Sequence, residues 1–448
     1  MKWNFQRRKL FDGMPTIASK ILITEKIIEI DNPSSFKWID VFHVICKQVQ
    51  EIKNKYVIKV NLVKTTRNKL FFRLIYLEDF YGFIENPFVP EVEVGSKPAS
   101  TRDISCLIVP TGIGAAFGGY AGDANPLAKL FASANKYLLT HPNVVNGAVL
   151  SDPPSNMIYL EGFLLDQFLL GNINMIPTKQ NKIGVIFDRG INKERLEYEV
   201  NVLNALRAFY GCDIVAWTLT DKPVVIKPAV NEYSFSTGTI ENLETIIEKA
   251  FKLKDIGVTA IAICCTIPDI ELSRDYRMGN GIDPIGGVES IISHAVSAVT
   301  GLVSAHAPVL LSQEVVDYKK IAPVSASEYI AQTFLPSVIS GLRYVPKIVV
   351  GADRSVCPSQ QKSFQDIGNI IVPYNAFGSA GVFYLNEIFQ NVILIRENKV
   401  CLDVNPDHLN LKSTVCDSYN DLIDAKKIKE SGIDVSVLKR PIERIQTV

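Results

Sequence analysis

The sequence lacks an excess of charge of either sign. Its 47 Lys and Arg residues balance 47 Asp and Glu residues, so the formal net charge is zero. Proteins that bind nucleic acids or membrane surfaces usually carry a basic excess. The balance therefore argues against a nucleic-acid partner and against a membrane partner. A small molecule is the expected ligand, and self-association into a homo-oligomer is left open.

Long hydrophobic runs are also missing. A helix that spans a membrane needs about 18 uninterrupted apolar residues. The segment from Val296 to Val309 is shorter and contains Ser, Thr, Gly and His. The opening residues, MKWNFQRRKLFDG, have no apolar run behind their basic residues, whereas a secretory signal would have one. We therefore expect a cytoplasmic protein.

The eight cysteines have no regular spacing and form no CxxC or Cys/His zinc pattern. Only Cys264 and Cys265 are close together, and adjacent cysteines rarely bridge. Free thiols in a reducing compartment are the expectation. The spacing indicates no metal site, and the sequence identifies no cofactor.

Residues 1–90 are rich in Lys, Ile and Phe and poor in Gly. Strand-like segments surround one helical pattern, whose apolar face holds Ile39, Phe42, Ile45, Cys46, Val49 and Ile52. This pattern predicts a small α+β domain. Residues 91–103 are interpreted as a linker, because the surrounding stretch is rich in Pro and poor in large apolar groups.

From residue 104 to 405 short apolar segments alternate with helical patterns and glycine-rich loops. The candidate strands are ISCLIVP, KIGVIF, CDIVAW, VTAIAIC, PKIVV, NIIVP and VILIREN. Several are apolar throughout, as in a parallel sheet that is covered on both faces. The sequence therefore predicts an α/β fold of mostly parallel sheets with helices on both faces, in two lobes. Residues 406–448 are expected to be helical or irregular.

Three amphipathic helices are predicted between these strands, over residues 194–210, 240–256 and 287–303. The stripe of the first contains Leu196, Val200, Leu203, Leu206 and Phe209. Glycines follow the first two helices at the positions where a helix commonly ends.

Polar and glycine-rich segments follow the predicted strands. In an open parallel sheet, ligands bind where the strands end, close to helix N-termini that carry free N–H groups. After the first strand, the candidate ligand-binding residues are Thr111, Gly112, Gly114, Gly118, Gly119 and Asp123. Such a loop can wrap an anion with its backbone N–H groups. It lacks the Lys and Ser/Thr of a phosphate-binding P-loop, and Asp123 is interpreted either as a cap or as a ligand.

The next loop carries His141, a candidate catalytic residue, followed by Asn143 and Asn146 as ligand-binding candidates. Because proline follows His141, its backbone is expected to be extended and able to direct the side chain into a cleft. Asp188 and Arg189 follow KIGVIF. Asp188 is a catalytic candidate, and Arg189 could clamp a carboxylate.

Cys264 and Cys265 follow VTAIAI, with Thr266 as a ligand-binding candidate. A cysteine at a strand end beside a helix N-terminus would have a depressed pKa and could serve as base or nucleophile. The alternative is a small core residue.

The remaining ligand-binding candidates lie in later loops: Asp283, Gly286, Gly287, His306 and Asn375. Three other residues receive structural interpretations. Glu161 and Glu289 lie early in helices, where a carboxylate is favoured, and His294 is interpreted as a packed helix residue.

Three long segments carry a family resemblance: VPTGIGAAFGGYAGDANPLAKLFAS, LLTHPNVVNGAVLSDPPSNMIYLEGFLLDQFLLG and DPIGGVESIISH. They resemble a conserved family of bacteria, cyanobacteria and plant plastids that is catalogued only as a domain of unknown function. The resemblance covers approximately residues 100–405. It implies no settled activity and supplies no catalytic residues.

The Cys264-Cys265-Thr266 segment also resembles, more weakly, the aspartate/glutamate racemase superfamily. That resemblance implies two α/β lobes with a Cys-Thr element at a strand end in each. The matching first strand end, Pro110-Thr111-Gly112, has no cysteine. A two-thiol racemization is therefore not implied, whereas a one-cysteine decarboxylase or isomerase remains.

Three functions are consistent with these patterns. The first is an enzyme, of the isomerase, lyase or hydrolase kind, that uses acid/base groups on a small carboxylate or phosphate. The second is a non-catalytic ligand-binding or scaffold protein, which predicts that no acid/base group lies within hydrogen-bond reach of another. The third is nucleotide binding at the glycine-rich loop.

Overall fold

The computed structural model describes residues 20–48, 55–78, 80, 82–85, 87–90, 102–268, 274–310, 318–350, 360–409 and 411–446. Of the expected linker, residues 91–101 lie outside the described residues.

The N-terminal part is an antiparallel sheet with one helix. In chain order its elements are β1 (Ile23–Asp31), α1 (Trp38–Gln48), β2 (Lys55–Thr65) and β3 (Lys69–Glu78). The strand order is β1-β3-β2. Helix α1 buries Trp38, Val41, Phe42 and Ile45, which agrees with the predicted apolar face at two positions. Two further predicted positions, Val49 and Ile52, lie outside the described residues.

The rest of the described chain alternates strands and helices. The strands are β4 (Ile104–Leu107), β5 (Tyr137–Thr140), β6 (Met157–Tyr159), β7 (Asn174–Ile176), β8 (Lys182–Phe187), β9 (Asp213–Leu219), β10 (Val225–Val230), β11 (Ser236–Glu241), β12 (Ala260–Cys264), β13 (Thr266–Ile267), β14 (Val303–His306), β15 (Val309–Leu310), β16 (Lys347–Val349), β17 (Ile367–Pro373), β18 (Val392–Ile395) and β19 (Thr414–Cys416). The helices are α2 (Asn125–Ala134), α3 (Pro142–Val145), α4 (Gly162–Leu169), α5 (Lys193–Tyr210), α6 (Leu243–Asp255), α7 (Arg274–Arg277), α8 (Gly286–Thr300), α9 (Ala326–Ile330), α10 (Leu335–Leu342), α11 (Ala380–Phe389) and α12 (Ala425–Glu430).

Two parallel sheets organise these elements. One has six strands in the order β19-β18-β17-β4-β5-β6, and the other has four in the order β14-β12-β8-β9. Every neighbouring pair in both sheets is parallel. The strands of the smaller sheet lie in sequence between β6 and β17, so one lobe is inserted into the other. The predicted α/β fold class is confirmed.

Helix α5 shows where the sequence pattern succeeds and where it fails. Its N-cap is Asn192, whose side chain accepts a hydrogen bond from the Arg195 N–H, and it ends at Gly211 with φ 61°. Phe209, predicted in the apolar stripe, is 81% exposed. It lies in the last turn, where its ring contacts Tyr210 and not the core. That part of the prediction is wrong.

The N-terminal sheet is fixed to the six-stranded lobe by backbone and ring contacts. The Leu62 N–H donates to the Gly378 carbonyl at 2.8 Å, just beyond the carboxyl end of β17. The fully buried Trp38 ring stacks on Phe383 of α11, with centroids 6.0 Å apart. Burial of such a ring contributes strongly to packing. Strand β2 is therefore held across the edge at which the parallel strands end.

Candidate functional site

A cavity of about 230 Å³ lies where β2 and β3 meet loops from both parallel-sheet lobes. Ionisable side chains supply much of its lining. They are Lys59, Arg73, Tyr120, His141, Glu161, Asp166, Asp283, Glu289, His294, His306 and Glu328. The cavity therefore has donors and acceptors for protons on several sides.

Eight of the residues singled out from the sequence line this cavity. They are Thr111, Gly119, His141, Asn143, Asn146, Asp283, Gly286 and His306. They come from the loops that follow β4 and β5, from the end of β14 and from the start of α8 with the segment before it. Distant turns are thus brought together at the carboxyl ends of parallel strands. Their roles as site residues remain predictions.

His141 lies directly after β5 in the extended conformation expected for a residue before proline, with φ −133° and ψ 169°. Its Nε2 accepts a hydrogen bond from the Val109 N–H at 3.0 Å. Burial lowers the pKa of the His141 imidazole to about 3, so the ring is neutral near pH 7. Because Nε2 is an acceptor, the single ring proton resides on Nδ1. His141 is therefore a hydrogen-bond donor at Nδ1.

His306 and Glu289 form a second acid/base element. His306 ends β14, Glu289 lies in the first turn of α8, and His306 Nδ1 is 3.0 Å from Glu289 Oε1. Burial raises the pKa of the Glu289 carboxyl well above its usual range and lowers that of His306 to about 3. His306 is therefore neutral near pH 7. When Glu289 is protonated and donates to Nδ1, the ring proton of His306 lies on Nε2. That Nε2 is buried without a hydrogen-bond partner among the described residues.

Two further pairs lie in the cavity wall. Glu161 Oε1 contacts His294 Nδ1, while its Oε2 accepts the Phe163 N–H at 2.9 Å and caps α4. Gly162 leaves room for this arrangement, because a Cβ there would lie 2.7 Å from the His294 ring. Lys59 of β2 pairs with the buried Asp166 at 3.2 Å. The N-terminal sheet therefore contributes a cation to a cavity that the parallel lobes otherwise form.

Three carboxyls face one another on another side of the cavity. Burial raises the pKa of Asp283 to about 7 and that of Glu328 to about 7. The neighbouring Glu289 adds to the shift of Asp283, and Asp283 adds to that of Glu328. Glu289 is repelled by Glu328 as well. Carboxyls with a pKa near neutrality can donate or accept a proton at physiological pH.

The expected depressed pKa of Cys264 and Cys265 is wrong, and the structure agrees with the alternative of small core residues. Cys264 and Cys265 are buried and do not line the cavity, and burial raises the pKa of both thiols well above the usual range. Both lie at the end of β12, an inner strand of the four-stranded sheet, where the apolar surroundings disfavour a thiolate. Thr266 beside them is also outside the lining.

Asp188 and Arg189 link neighbouring loops through hydrogen bonds. The Asp188 carboxylate accepts N–H groups of Gly190 at 3.0 Å and Val224 at 2.9 Å, and Arg189 Nε donates to the Thr220 carbonyl at 2.8 Å. Neither residue lines the cavity. Asp188 is buried and its hydrogen bonds stabilise the loop, whereas Arg189 is exposed. Their roles as site residues remain predictions.

The glycine-rich loop does not leave its Gly118 and Tyr120 N–H groups available to an external anion. Its Gly118 and Tyr120 N–H groups donate to the Asp123 carboxylate, at 2.8 and 3.2 Å. Arg440 pairs with the same carboxylate at 3.1 Å. Asp123 thus occupies the position that an external anion would take. It does not cap a helix either, since α2 has Ala124 as its N-cap and no side-chain cap hydrogen bond.

Other predicted glycines also have structural contacts. At the start of α8 the Gly287 N–H donates to Ser236 Oγ at 2.9 Å, so it is not available to an anion. The Gly112 carbonyl accepts the Ser236 N–H, and the Gly114 carbonyl accepts from Cys401. Asn375 holds the Leu402 carbonyl at 2.8 Å. Gly112, Gly114, Gly118, Gly287 and Asn375 are all outside the cavity lining.

Asp123→Ala tests the structural role of that carboxylate. It should lower the free energy of unfolding by about 1–3 kcal/mol, because buried N–H groups and Arg440 lose their acceptor. Urea denaturation would measure the loss, with Asp152→Ala as control, since the Asp152 side chain is 77% exposed. Equal stabilities of the two variants would contradict this role.

Several cavity residues were not selected from the sequence. The sequence pattern indicates helix residues at Glu161, Glu289 and His294. It does not single out Lys59, Arg73, Asp166 and Glu328. Lys59 did carry a signal, since it interrupts the apolar run Val57-Ile58-Lys59-Val60 of β2. A lysine inside a buried strand needs a partner.

Asp283→Asn is expected to change the pH dependence of stability. The pKa of the Asp283 carboxyl is about 7 in the folded chain, against an ordinary value of 3.8. Between these values the folded state holds a proton that the unfolded state has released. The free energy of unfolding therefore falls as pH rises, by at most about 1.4 kcal/mol per pH unit. The asparagine variant lacks this loss, so it should gain stability relative to the wild type from about pH 4 to pH 7.

The groups that face Asp283 are Glu289, Glu328, Tyr120 and Tyr276. They remain in both proteins, so the comparison reports on the Asp283 carboxyl. Urea melts at successive pH values provide the measurement, with Asp152→Asn as exposed control. Parallel stability curves for Asp283→Asn and wild type would contradict the raised pKa.

The fold and site together define a class: an α/β protein of two parallel-sheet lobes with a buried acid/base cavity that a β-sheet from the N-terminal part helps to enclose. Residues 104–439 match the family described as "Protein of unknown function (DUF3326)". The chain belongs to this family. The match confirms the resemblance seen in the sequence and leaves β2 and β3 outside it.

A relative in Synechococcus sp. is named an uncharacterized lipoprotein and is 35% identical over 338 residues, which are 75% of this chain and 92% of the relative. No solved structure matches the chain. The comparisons do not show the similarity to aspartate/glutamate racemases. Among the described residues, every helix is too short or too polar to cross a membrane.

Proposed function

We propose that this protein is a cytoplasmic enzyme that binds a small carboxylate or phosphate in the cavity and transfers protons at it, as an isomerase or lyase does. The observation that carries the proposal is the His306–Glu289 pair, whose buried Nε2 lacks a partner among the described residues. An unpaired buried donor costs about 1–3 kcal/mol. A ligand oxygen at this position would offset that cost.

Other donors support an anionic ligand. His141 is a neutral imidazole with a proton on Nδ1, and Lys59 is a nearby cation that lowers the pKa of His141 further. Arg73 of β3 lines the same cavity, and its buried Nε has no partner among the described residues. Charge-assisted donors of this kind are the usual ligands of carboxylates and phosphates.

Proton transfer needs a donor and an acceptor at neutral pH. His306 Nε2–H, supported by Glu289, would be the donor. The Asp283–Glu328 pair would be the acceptor, because a carboxyl with a pKa of about 7 is partly ionised at that pH. No cysteine nucleophile is invoked, since Cys264 and Cys265 lie outside the cavity lining.

The scaffold alternative predicted that no acid/base group lies within hydrogen-bond reach of another. His306 and Glu289 are 3.0 Å apart, which favours the enzyme. Nucleotide binding required free N–H groups in the glycine-rich loop, and those of Gly118 and Tyr120 are bonded to Asp123.

Thermal unfolding in the presence of acetate, malonate, succinate, phosphate or phosphoglycolate tests the proposal. At least one of these anions should raise the melting temperature, because a ligand that binds only the folded state stabilises it. His306→Asn should lower the affinity for that anion about 10- to 100-fold. His43→Asn is the matched control, because His43 is exposed on α1. Stabilisation by none of these anions, or an unchanged response of His306→Asn, would refute the proposal.

A further inference from the structure

Three buried carboxyls of the cavity have no cation beside them. Asp283, Glu289 and Glu328 all line it, and none forms an ion pair with a lysine or arginine of the described residues. Elsewhere in the same wall Asp166 pairs with Lys59, and at the edge Arg73 pairs with Glu25 at 2.9 Å. Buried charges are normally paired, so the three carboxyls are an exception within their own site.

The existing partners of these carboxyls are neutral. Asp283 Oδ1 accepts the Ile285 N–H at 2.9 Å. Glu328 Oε1 accepts the Ala121 N–H at 2.9 Å and the Tyr276 hydroxyl at 2.8 Å. These contacts hold the carboxyls in position, and they come from loops and helices of both lobes. They do not compensate the charge that each carboxyl would carry when ionised.

A second observation points to a missing ligand at the same place. The His306 side chain is 2% exposed, is bonded to Glu289 of this cluster, and has its Nε2 without a partner among the described residues. The cavity that it lines is large enough for a small molecule. No three His, Cys, Asp or Glu side chains in the described part of the chain are arranged to hold a metal ion. The unpaired His306 Nε2 points to a ligand that brings a hydrogen-bond acceptor to a place beside the carboxyls.

We propose that the ligand is a small zwitterion whose ammonium group is held between Asp283 and Glu328 while its carboxylate or phosphate accepts from His306 Nε2 and faces Lys59 and His141. This inference rests on the proposed function and names its substrate class. An amine that enters the cluster supplies the counter-charge that the chain itself does not provide. It would also favour ionisation of the carboxyls, so binding would release protons near pH 7.

Calorimetric titration with matched pairs of probes tests this inference. The pairs are β-alanine and propionate, 4-aminobutyrate and butyrate, and phosphoethanolamine and ethyl phosphate, with propylamine as an amine that lacks an anion. At least one aminated probe should bind about 10- to 100-fold tighter than its partner. Repeating the titration in two buffers of different ionisation enthalpy should show release of roughly one proton with the aminated probe.

Glu328→Gln should remove the preference for the aminated probe over its partner. Asp283→Asn provides the same test in a second position if Glu328→Gln does not fold, and Asp152→Asn is the control on the exposed surface. Equal affinities within every pair overturn this inference alone. Binding of propylamine that depends on Glu328, with no binding of any anion, overturns the proposed anion site alone. Absence of binding by all seven probes overturns both.

Discussion

Glu161→Ala is expected to lower the free energy of unfolding by about 3–5 kcal/mol, because it removes one partner of a buried pair and leaves the other uncompensated. The side chains of Glu161 and His294 are 2% and 9% exposed, so water cannot replace the lost contact. The same carboxylate caps α4 through the Phe163 N–H. The expected decrease in the free energy of unfolding therefore has two sources, the broken Glu161–His294 pair and the lost cap of α4.

Glu161→Gln provides the internal control for this prediction. The amide oxygen can still cap α4, and the side chain keeps its volume, so we expect a smaller loss, of about 1–2 kcal/mol. Chemical denaturation of both variants measures the difference. A loss below about 1 kcal/mol for Glu161→Ala would show that the pair contributes little to the fold.

Lys59→Met is expected to have two large effects. The first is a loss of about 3–5 kcal/mol in the free energy of unfolding, since Asp166 is then buried without its cation. The Asp166 side chain is 3% exposed and has the Gly381 N–H, at 3.2 Å, as a remaining donor. The second is a loss of about 100-fold in affinity for the stabilising anion, because a cation of the cavity lining is removed.

The double variant Lys59→Met/Asp166→Asn separates these effects. Asparagine is neutral and can still accept the Gly381 N–H, so we expect most of the stability to return while anion binding remains weak. Unfolding and ligand-dependent melting, measured on the same preparations, give both quantities. Recovery of anion binding in the double variant would mean that Lys59 acts only through Asp166.

The sequence was sufficient for the fold class and for part of the cavity. Apolar runs separated by amphipathic helices predicted two parallel lobes, and a His-Pro pair after a strand predicted the placement of His141. These inferences depend on local pattern and on the fact that parallel strands end at a common edge. Both the local pattern and the common edge at which the strands end can be inferred from one sequence.

The remaining site residues depend on distances that a sequence does not contain. Glu289 satisfies the helix dipole equally well whether it faces solvent or, as here, His306. Asp123 and an external anion would use the same loop N–H groups, and only the positions of Gly118 and Tyr120 decide between them. Lys59 belongs to a sheet outside the family match, and its partner Asp166 lies 107 positions further along the chain.

The central claim is that His141 and His306 present N–H donors to an anion in this cavity. Long-range ¹H–¹⁵N correlation spectra of the histidine rings, assigned with the His43→Asn, His141→Asn and His306→Asn variants, test it most directly. At pH 7 the account predicts neutral rings with the proton on Nδ1 of His141 and on Nε2 of His306, and both sets of signals should move when malonate or phosphate is added. An unprotonated Nε2 on the His306 ring would contradict it. So would signals of both rings that stay in place when malonate and phosphate are added.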